Sequence, residues 1–225
     1  WIMGEWNITH MSHPASTIMI TTALAMKVGL APMHFWMPPV LQGLDLTTGL
    51  IMATWQKLAP FALLIQMAPT MHPTLLTALG LLSAVVGGWG GLNQTQLRKM
   101  LAYSSIAHLG WMIIVIQFMP QLTILTLSTY IIMTSAAFLT FKLLLSTKIN
   151  TLTLTWSKAP VITTTAALIL LSLGGLPPLT GFMPKWLILQ ELTKQDLPLT
   201  ATILALSALL SLYFYLRLCY AMTLT

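Results

Sequence analysis

Three lysines stand where lysine is expensive. Lys27, Lys57 and Lys185 each fall inside an apolar run long enough to cross a bilayer. At 1.5 Å per residue Lys27 lies about 20 Å into its run, and Lys57 sits at similar mid-depth in the next. A charged side chain at the bilayer centre costs about 2.5–3.5 kcal/mol on insertion scales, and such residues usually face a protein interior or a water-filled path. A residue so far from both helix ends does not easily snorkel to the interface. Burial favours the neutral amine, so a lysine in this setting can take up and release a proton, and a like charge nearby couples one site to the next. The chemistry on offer is proton carriage. A competing reading is that each amine only pairs with a buried partner, but the whole chain holds just four Asp and Glu.

The backbone beside these lysines is broken. Lys27 precedes Val28-Gly29-Leu30-Ala31-Pro32-Met33-His34, Lys57 precedes Leu58-Ala59-Pro60, and Lys185 follows Gly174-Gly175-Leu176-Pro177-Pro178-Leu179-Thr180-Gly181. An internal proline removes a helix hydrogen bond and frees a carbonyl. In lipid that is tolerated only where protein or water satisfies the freed group, and broken helices of this kind line ion sites in transporters. Any single proline is as readily a harmless kink; three breaks beside three lysines form a pattern. His34 and His108 also lie inside apolar runs and could relay protons, or could be neutral histidines bonded between helices. A haem clamped by that pair is a rival with no motif around it. His10 and His13 have an HxxH spacing that argues only weakly for a metal, and His72 belongs to a loop.

The elements that must position these groups follow from composition. Of 225 residues 56% are hydrophobic and 6% charged, against roughly 25% charged in soluble domains, and the mean hydropathy is +0.83. A soluble fold of this size cannot hide so much apolar surface, so lipid is the solvent for most of it. Seven apolar stretches, approximately 14–38, 46–67, 74–92, 100–119, 122–145, 161–191 and 199–222, reach the roughly 20 residues a spanning helix needs. The expected fold is an all-α integral membrane protein of about seven transmembrane helices. Two are discontinuous, around Gly29–Pro32 and Gly174–Pro184, and the whole forms one domain over 1–225. Arg98, Lys99, Lys148 and Lys158 occupy alternate loops, with Lys142 and Arg217 at helix ends on the same side, while the other side holds only Lys194. Positive loops remain on the side of synthesis, so these should face the cytoplasm or mitochondrial matrix.

Several chemistries are excluded. The ten Lys and Arg form no patch or stripe, which argues against nucleic acid. The lone Cys219 permits neither an internal disulfide nor a Cys-built metal centre. No GxxxxGK[ST], GxGxxG, Ser/His/Asp or paired-carboxylate constellation is present, so a redox or bond-making site in this chain is not expected. The Gly87-Gly88-Trp89-Gly90-Gly91 cluster ends an apolar helix, where small residues permit close packing.

Together, long strings resemble one family: Gly29 to Trp36, Gln42 to Gly49, Thr54 to Pro60, Gly87 to Lys99, Leu101 to Ile106, and Leu171 to Phe182 with Pro184-Lys185-Trp186. They are similar to the antiporter-like, proton-translocating subunits of the membrane arm of respiratory complex I in vertebrate mitochondria. The resemblance implies proton translocation across the mitochondrial inner membrane by a multi-pass protein. NADH, FMN, iron–sulfur clusters and ubiquinone would be held by other subunits, with no cofactor in this chain. Its partners would be other membrane-arm subunits and phospholipids. On this resemblance Lys27 matches the lysine of the first discontinuous helix, Lys57 the central lysine, and Lys185 the lysine of the second discontinuous helix. His34 and His108 would lie along the same polar axis. The family's glutamate partner of Lys27 belongs to an earlier helix, and further chain would follow Thr225. The sequence as it stands is therefore expected to be a piece of a longer protein. Within it Lys27 should be buried and neutral, or sit in a distorted helix. At Pro39 the family usually carries a glutamate. A multi-subunit sodium/proton antiporter is the alternative, disfavoured by the missing carboxylate-rich site. A membrane scaffold or receptor is a third reading, which predicts that the lysines can be replaced without loss.

Overall fold

A computed structural model of the chain describes residues 13–223, and among them every regular element is helical. His10 of the HxxH spacing lies outside the described residues. His13 Nδ1 accepts the Ala15 N–H at 3.3 Å and caps the first helix. The elements run α1 (Pro14–Val28), α2 (Met37–Gly43), α3 (Leu46–Ala53), α4 (Trp55–Met67), α5 (Pro73–Gly91) and α6 (Leu97–Val115). Then come α7 (Pro120–Leu143), two short helices α8 (Ile149–Thr153) and α9 (Thr155–Lys158), α10 (Pro160–Gly174), α11 (Phe182–Lys194) and α12 (Pro198–Thr223). Four rods are long and apolar enough to cross a membrane: Leu46–Thr70, Pro73–Gly91, Pro120–Leu143 and Pro198–Thr223.

α6 is the axis of the bundle. Leu101, Ala102, Ile106, Leu109, Met112 and Ile113 are all buried, and so are Ser104 and Ser105. α5 packs along it through glycines. A Cβ on Gly87 would stand 2.5 Å from the Ala107 nitrogen, and one on Gly110 would stand 2.6 Å from both the Gly80 carbonyl oxygen and Ser83 Oγ. Only hydrogen side chains allow the two backbones this approach, which is how membrane helices gain dispersion contacts without a hydrophobic drive between them. The outer surface is apolar, with Trp89, Ile132, Leu168, Leu206 and Leu209 exposed.

The chain breaks twice, in matching fashion. α1 and α10 are each 15 residues long, each with Pro in the first turn and a left-handed Gly after the last, at φ 87° for Gly29 and 81° for Gly175. Pro14 and Pro160, Gly29 and Gly175, and Pro32 and Pro178 are each 146 residues apart. At both ends an orphan helix carbonyl finds a side chain from beyond the break. Trp36 Nε1 donates to the Met26 carbonyl at 2.9 Å, and Lys185 Nζ to the Gly174 carbonyl at 2.8 Å.

Arg98 and Arg217 tie down the loops at one end. The stretches before α6 and α8 pair as short antiparallel backbone, with Leu97 N–H donating to Thr147 and Ile149 N–H to Thr95, both at 3.1 Å. Arg217 donates to the Leu92 carbonyl at 2.7 Å, and Arg98 donates to the Leu44 carbonyl.

Candidate functional site

Lys57 is built into the middle of the protein by a fault in its own helix. The span 46–67 is read from sequence as continuous, yet Thr54 interrupts it between α3 and α4, at φ −118° and ψ −67°. Thr54 Oγ1 donates back to the Leu50 carbonyl at 2.7 Å, a local bond that competes with the helix ladder. The Lys57 N–H bonds the Thr54 carbonyl at 3.2 Å, one residue short of its α-helical partner Ala53. The Ala53 carbonyl is left to accept Tyr130 Oη from α7 at 3.2 Å. Lys57 Nζ in turn donates to Tyr130 Oη at 2.9 Å and lies 4.7 Å from the centroid of the same ring.

Lys57 is 2% exposed, and among the described residues this phenol is its one hydrogen-bonding side chain. Among the same residues the single ion pair is Lys194–Glu191, at 3.7 Å and far from this site. A buried amine with a neutral partner and no carboxylate gains little as a structural charge, because desolvation exceeds what a phenol can return.

Tyr130 also lines a small cavity of about 20 Å³, together with His108, Thr126, Thr129, Gly181 and Lys185 among others. That is room for about one water. The His108 and Tyr130 rings are 5.6 Å apart, and His108 Nδ1 pairs with the Ser104 carbonyl at 2.7 Å. That bond holds the imidazole on α6, and a backbone hydrogen bond to Leu173 ties it to α10 as well. Lys185, half-buried in the first turn of α11, reaches the same cavity while its amine caps α10. Gly175 must be glycine for this: besides its left-handed φ, a Cβ there would stand 2.9 Å from Lys185 Nζ.

The structure therefore brings Lys57, His108 and Lys185 around one tyrosine. It treats the other two candidates differently. Lys27 is not buried: α1 is a regular helix that ends one residue later at Val28, and the side chain projects from its last turn into the open. Early termination at Gly29 turns a mid-run position into a helix end. Lys27 still shares a cavity of about 140 Å³ with Lys57, Gln56, Trp36 and Met37. His34 is buried, with Nδ1 unpartnered and its ring centroid 6.4 Å from that of Tyr103. It keeps company with Phe35 and Tyr103, while His108 keeps company with Tyr130. Tyr130 itself escapes sequence reasoning. A lone tyrosine in an apolar run reads as packing, and its one hint is the surrounding Thr and Ser of α7.

A family model described as "NADH:quinone oxidoreductase/Mrp antiporter, TM" matches residues 4–211. NADH-ubiquinone oxidoreductase chain 2 of Carassius auratus is 75% identical over all 225 residues, and that of Danio rerio is 71% identical. The chain spans 65% of the length of each. Among solved structures, a chain of respiratory complex I from Thermus thermophilus superposes with a TM-score of 0.83 at 34% identity, over 93% of this chain and 50% of that one. A chain of the Mrp complex from a Dietzia species has the same fold, with a TM-score of 0.83 at 16% identity, over 98% of this chain and 46% of that one.

Proposed function

The chain belongs to the NADH:quinone oxidoreductase/Mrp antiporter transmembrane family, and on that premise we propose that it is a membrane-arm part of respiratory complex I that carries protons across the mitochondrial inner membrane. Electron transfer from NADH to ubiquinone takes place in other subunits, which hold the flavin, the iron–sulfur clusters and the quinone. This chain contributes no redox centre. The 225 residues act as one antiporter-type unit. Besides the four long rods, α6 and the two broken helices α1–α2 and α10–α11 also cross the bilayer, giving seven spans. The Arg98, Lys148 and Arg217 end faces the matrix, and other membrane-arm subunits and phospholipids cover the apolar flanks.

One observation carries this reading: Lys57 is buried with a phenol as its only side-chain partner among the described residues, and that phenol borders the cavity of His108 and Lys185. Protons reach Lys57 from Lys27 through the cavity the two share and continue to Lys185, with His108 able to hold one between. His34, buried beside Tyr103, is assigned to the same route although it does not line that cavity. Each transfer leaves one amine neutral and charges the next, and like-charge repulsion couples occupancy along the row. Redox-driven shifts elsewhere in the complex act on the row by changing each amine's proton affinity.

The decisive experiment changes Lys57 to Met in membranes carrying the assembled complex and scores proton pumping beside NADH–ubiquinone turnover. Pumping and turnover should fall together at native abundance. If both remain normal, Lys57 is only a structural charge and the path is wrong. The sodium/proton alternative shares the fold at 16% identity against 34% for the respiratory complex. It is tested in the same vesicles by replacing sodium with choline, which should leave pumping unchanged.

A further inference from the structure

The two halves of the proposed path are separated by one side chain, which bonds Lys57 through its hydroxyl and also lines the cavity. We propose that Tyr130 Oη is the atom through which a proton passes between Lys57 and the His108–Lys185 cavity, and that the Ala53 carbonyl holds this relay closed. The inference rests on the lysine path proposed above.

The hydroxyl is unusual in where its proton points. Thr126 Oγ1 donates to the Thr123 carbonyl at 2.8 Å and Thr129 Oγ1 to the Thr126 carbonyl at 3.0 Å, so the other hydroxyls lining the cavity are committed to their own helix. Tyr130 Oη instead links two helices. It accepts from Lys57 Nζ at 2.9 Å and donates to Ala53, whose carbonyl the interruption at Thr54 has released, and the Ser105 hydroxyl of α6 is a further side-chain partner. Rotation about the phenolic C–O bond is enough to turn that proton from the Ala53 carbonyl towards the cavity. The 20 Å³ space that Tyr130 lines accepts one water as the next link.

The step balances without ionising the tyrosine. The Lys57 ammonium gives a proton to Oη as the phenol's own proton leaves to a cavity water, and that water passes one of its protons to the Lys185 amine. At the end Lys57 is neutral, Lys185 is an ammonium, and phenol and water are restored. While the hydroxyl points at Ala53 the donor side has nothing to push against, so Lys57 can load from the Lys27 side without leaking forward. The fault at Thr54 thus acts as the stop of a valve.

The test uses membrane vesicles holding the assembled complex, with a pH-indicating dye, NADH as electron donor and complex abundance read on native gels. Tyr130→Phe keeps the ring over Lys57 and deletes the oxygen. Pumping should fall about a hundredfold at native abundance, the scale on which a positioned proton carrier acts, as it should in Lys57→Met. Native pumping in Tyr130→Phe beside lost pumping in Lys57→Met overturns the relay and leaves the lysine path standing. Native pumping in both overturns the two together. Should Tyr130→Phe fail to assemble, Thr129→Leu decides, because it fills the water site and leaves the hydroxyl untouched. A comparable loss in that assembled variant supports the relay, and pumping at the native rate overturns it.

Discussion

The seam between α5 and α6 offers a prediction whose sign can be worked from distances. Gly87→Ala adds a single methyl, and in an open helix it should stabilise by about 1 kcal/mol through propensity alone. Here the new Cβ would stand 2.5 Å from the Ala107 nitrogen and 2.8 Å from its Cα. Ordinary contact begins near 3.4 Å, so the helices must part by about 0.9 Å at this level. The obstacle is backbone, and no rotamer change relieves it. Overpacking of this kind costs about 1–3 kcal/mol, and a gap approaching 1 Å forfeits up to about half of each dispersion contact it opens. The net should be a loss of about 2 kcal/mol. Ala107 also precedes His108, so the same displacement moves the imidazole, and misplacement by about 1 Å can cost on the order of a hundredfold in rate. The assay is heat inactivation of the detergent-solubilised assembled complex, read beside pumping. Gly43→Ala is the control, since nothing lies within 4 Å of a Cβ there. The Gly87 variant should inactivate at lower temperature and pump poorly, whereas the Gly43 variant should match the native complex. Equal behaviour of the two would refute the close-packed seam.

Other outcomes follow from the same contacts. Lys57→Met should keep the thermal stability of the complex within about 1 kcal/mol of native or raise it, because it replaces an uncompensated buried amine by an apolar chain; a large drop in melting temperature would make Lys57 structural. Lys185→Met should cost more, about 1–3 kcal/mol, since it leaves the Gly174 carbonyl at the end of α10 without the side chain that caps it. Leu145, exposed with φ 51° after α7, holds a conformation that suits glycine. Leu145→Gly should therefore raise the inactivation temperature, by up to about 1 kcal/mol in stability. Glu191→Gln, which breaks the i, i+3 pair between the exposed Lys194 and the half-buried Glu191, should change stability by less than about 1 kcal/mol, because the 3.7 Å contact is long and its amine is solvated.

Much of this architecture is readable in the residues, because lipid imposes simple demands. Long apolar runs must be helices, and Gly-Leu-x-Pro must interrupt them. Both breaks fall where Gly29 and Gly175 announce them. Lys57 is legible as a buried amine from depth alone. What was hidden depends on partners remote in sequence. Thr54 carries no breaker, and its interruption comes from a side chain that bonds back along its own helix. The significance of Tyr130 appears only when α7 is laid against the Ala53 carbonyl that this interruption releases. Lys27 misled for the opposite reason: its position in an apolar run suggested burial, but the helix stops beside it and turns it outward. The stretch 149–158 reads as a polar connection, yet it folds into α8 and α9 because Leu152 finds a buried place against the core.

The buried axis has a consequence for how the protein is made. α6 is 19 residues long but is not among the four rods apolar enough to cross a membrane, since it carries Arg98, Lys99, Ser104, Ser105 and His108. A segment of that composition partitions poorly from the insertion machinery into lipid by itself. α5, immediately upstream across the short connection 92–96, is strongly apolar and bears the glycines that receive it. The two must leave the insertion channel together as a hairpin, with the newly made α5 serving as solvent for α6 before the rest of the bundle exists. Crowding a glycine on α5 would then act first during biogenesis, stranding the helix that carries His108 outside the membrane before the bundle is complete.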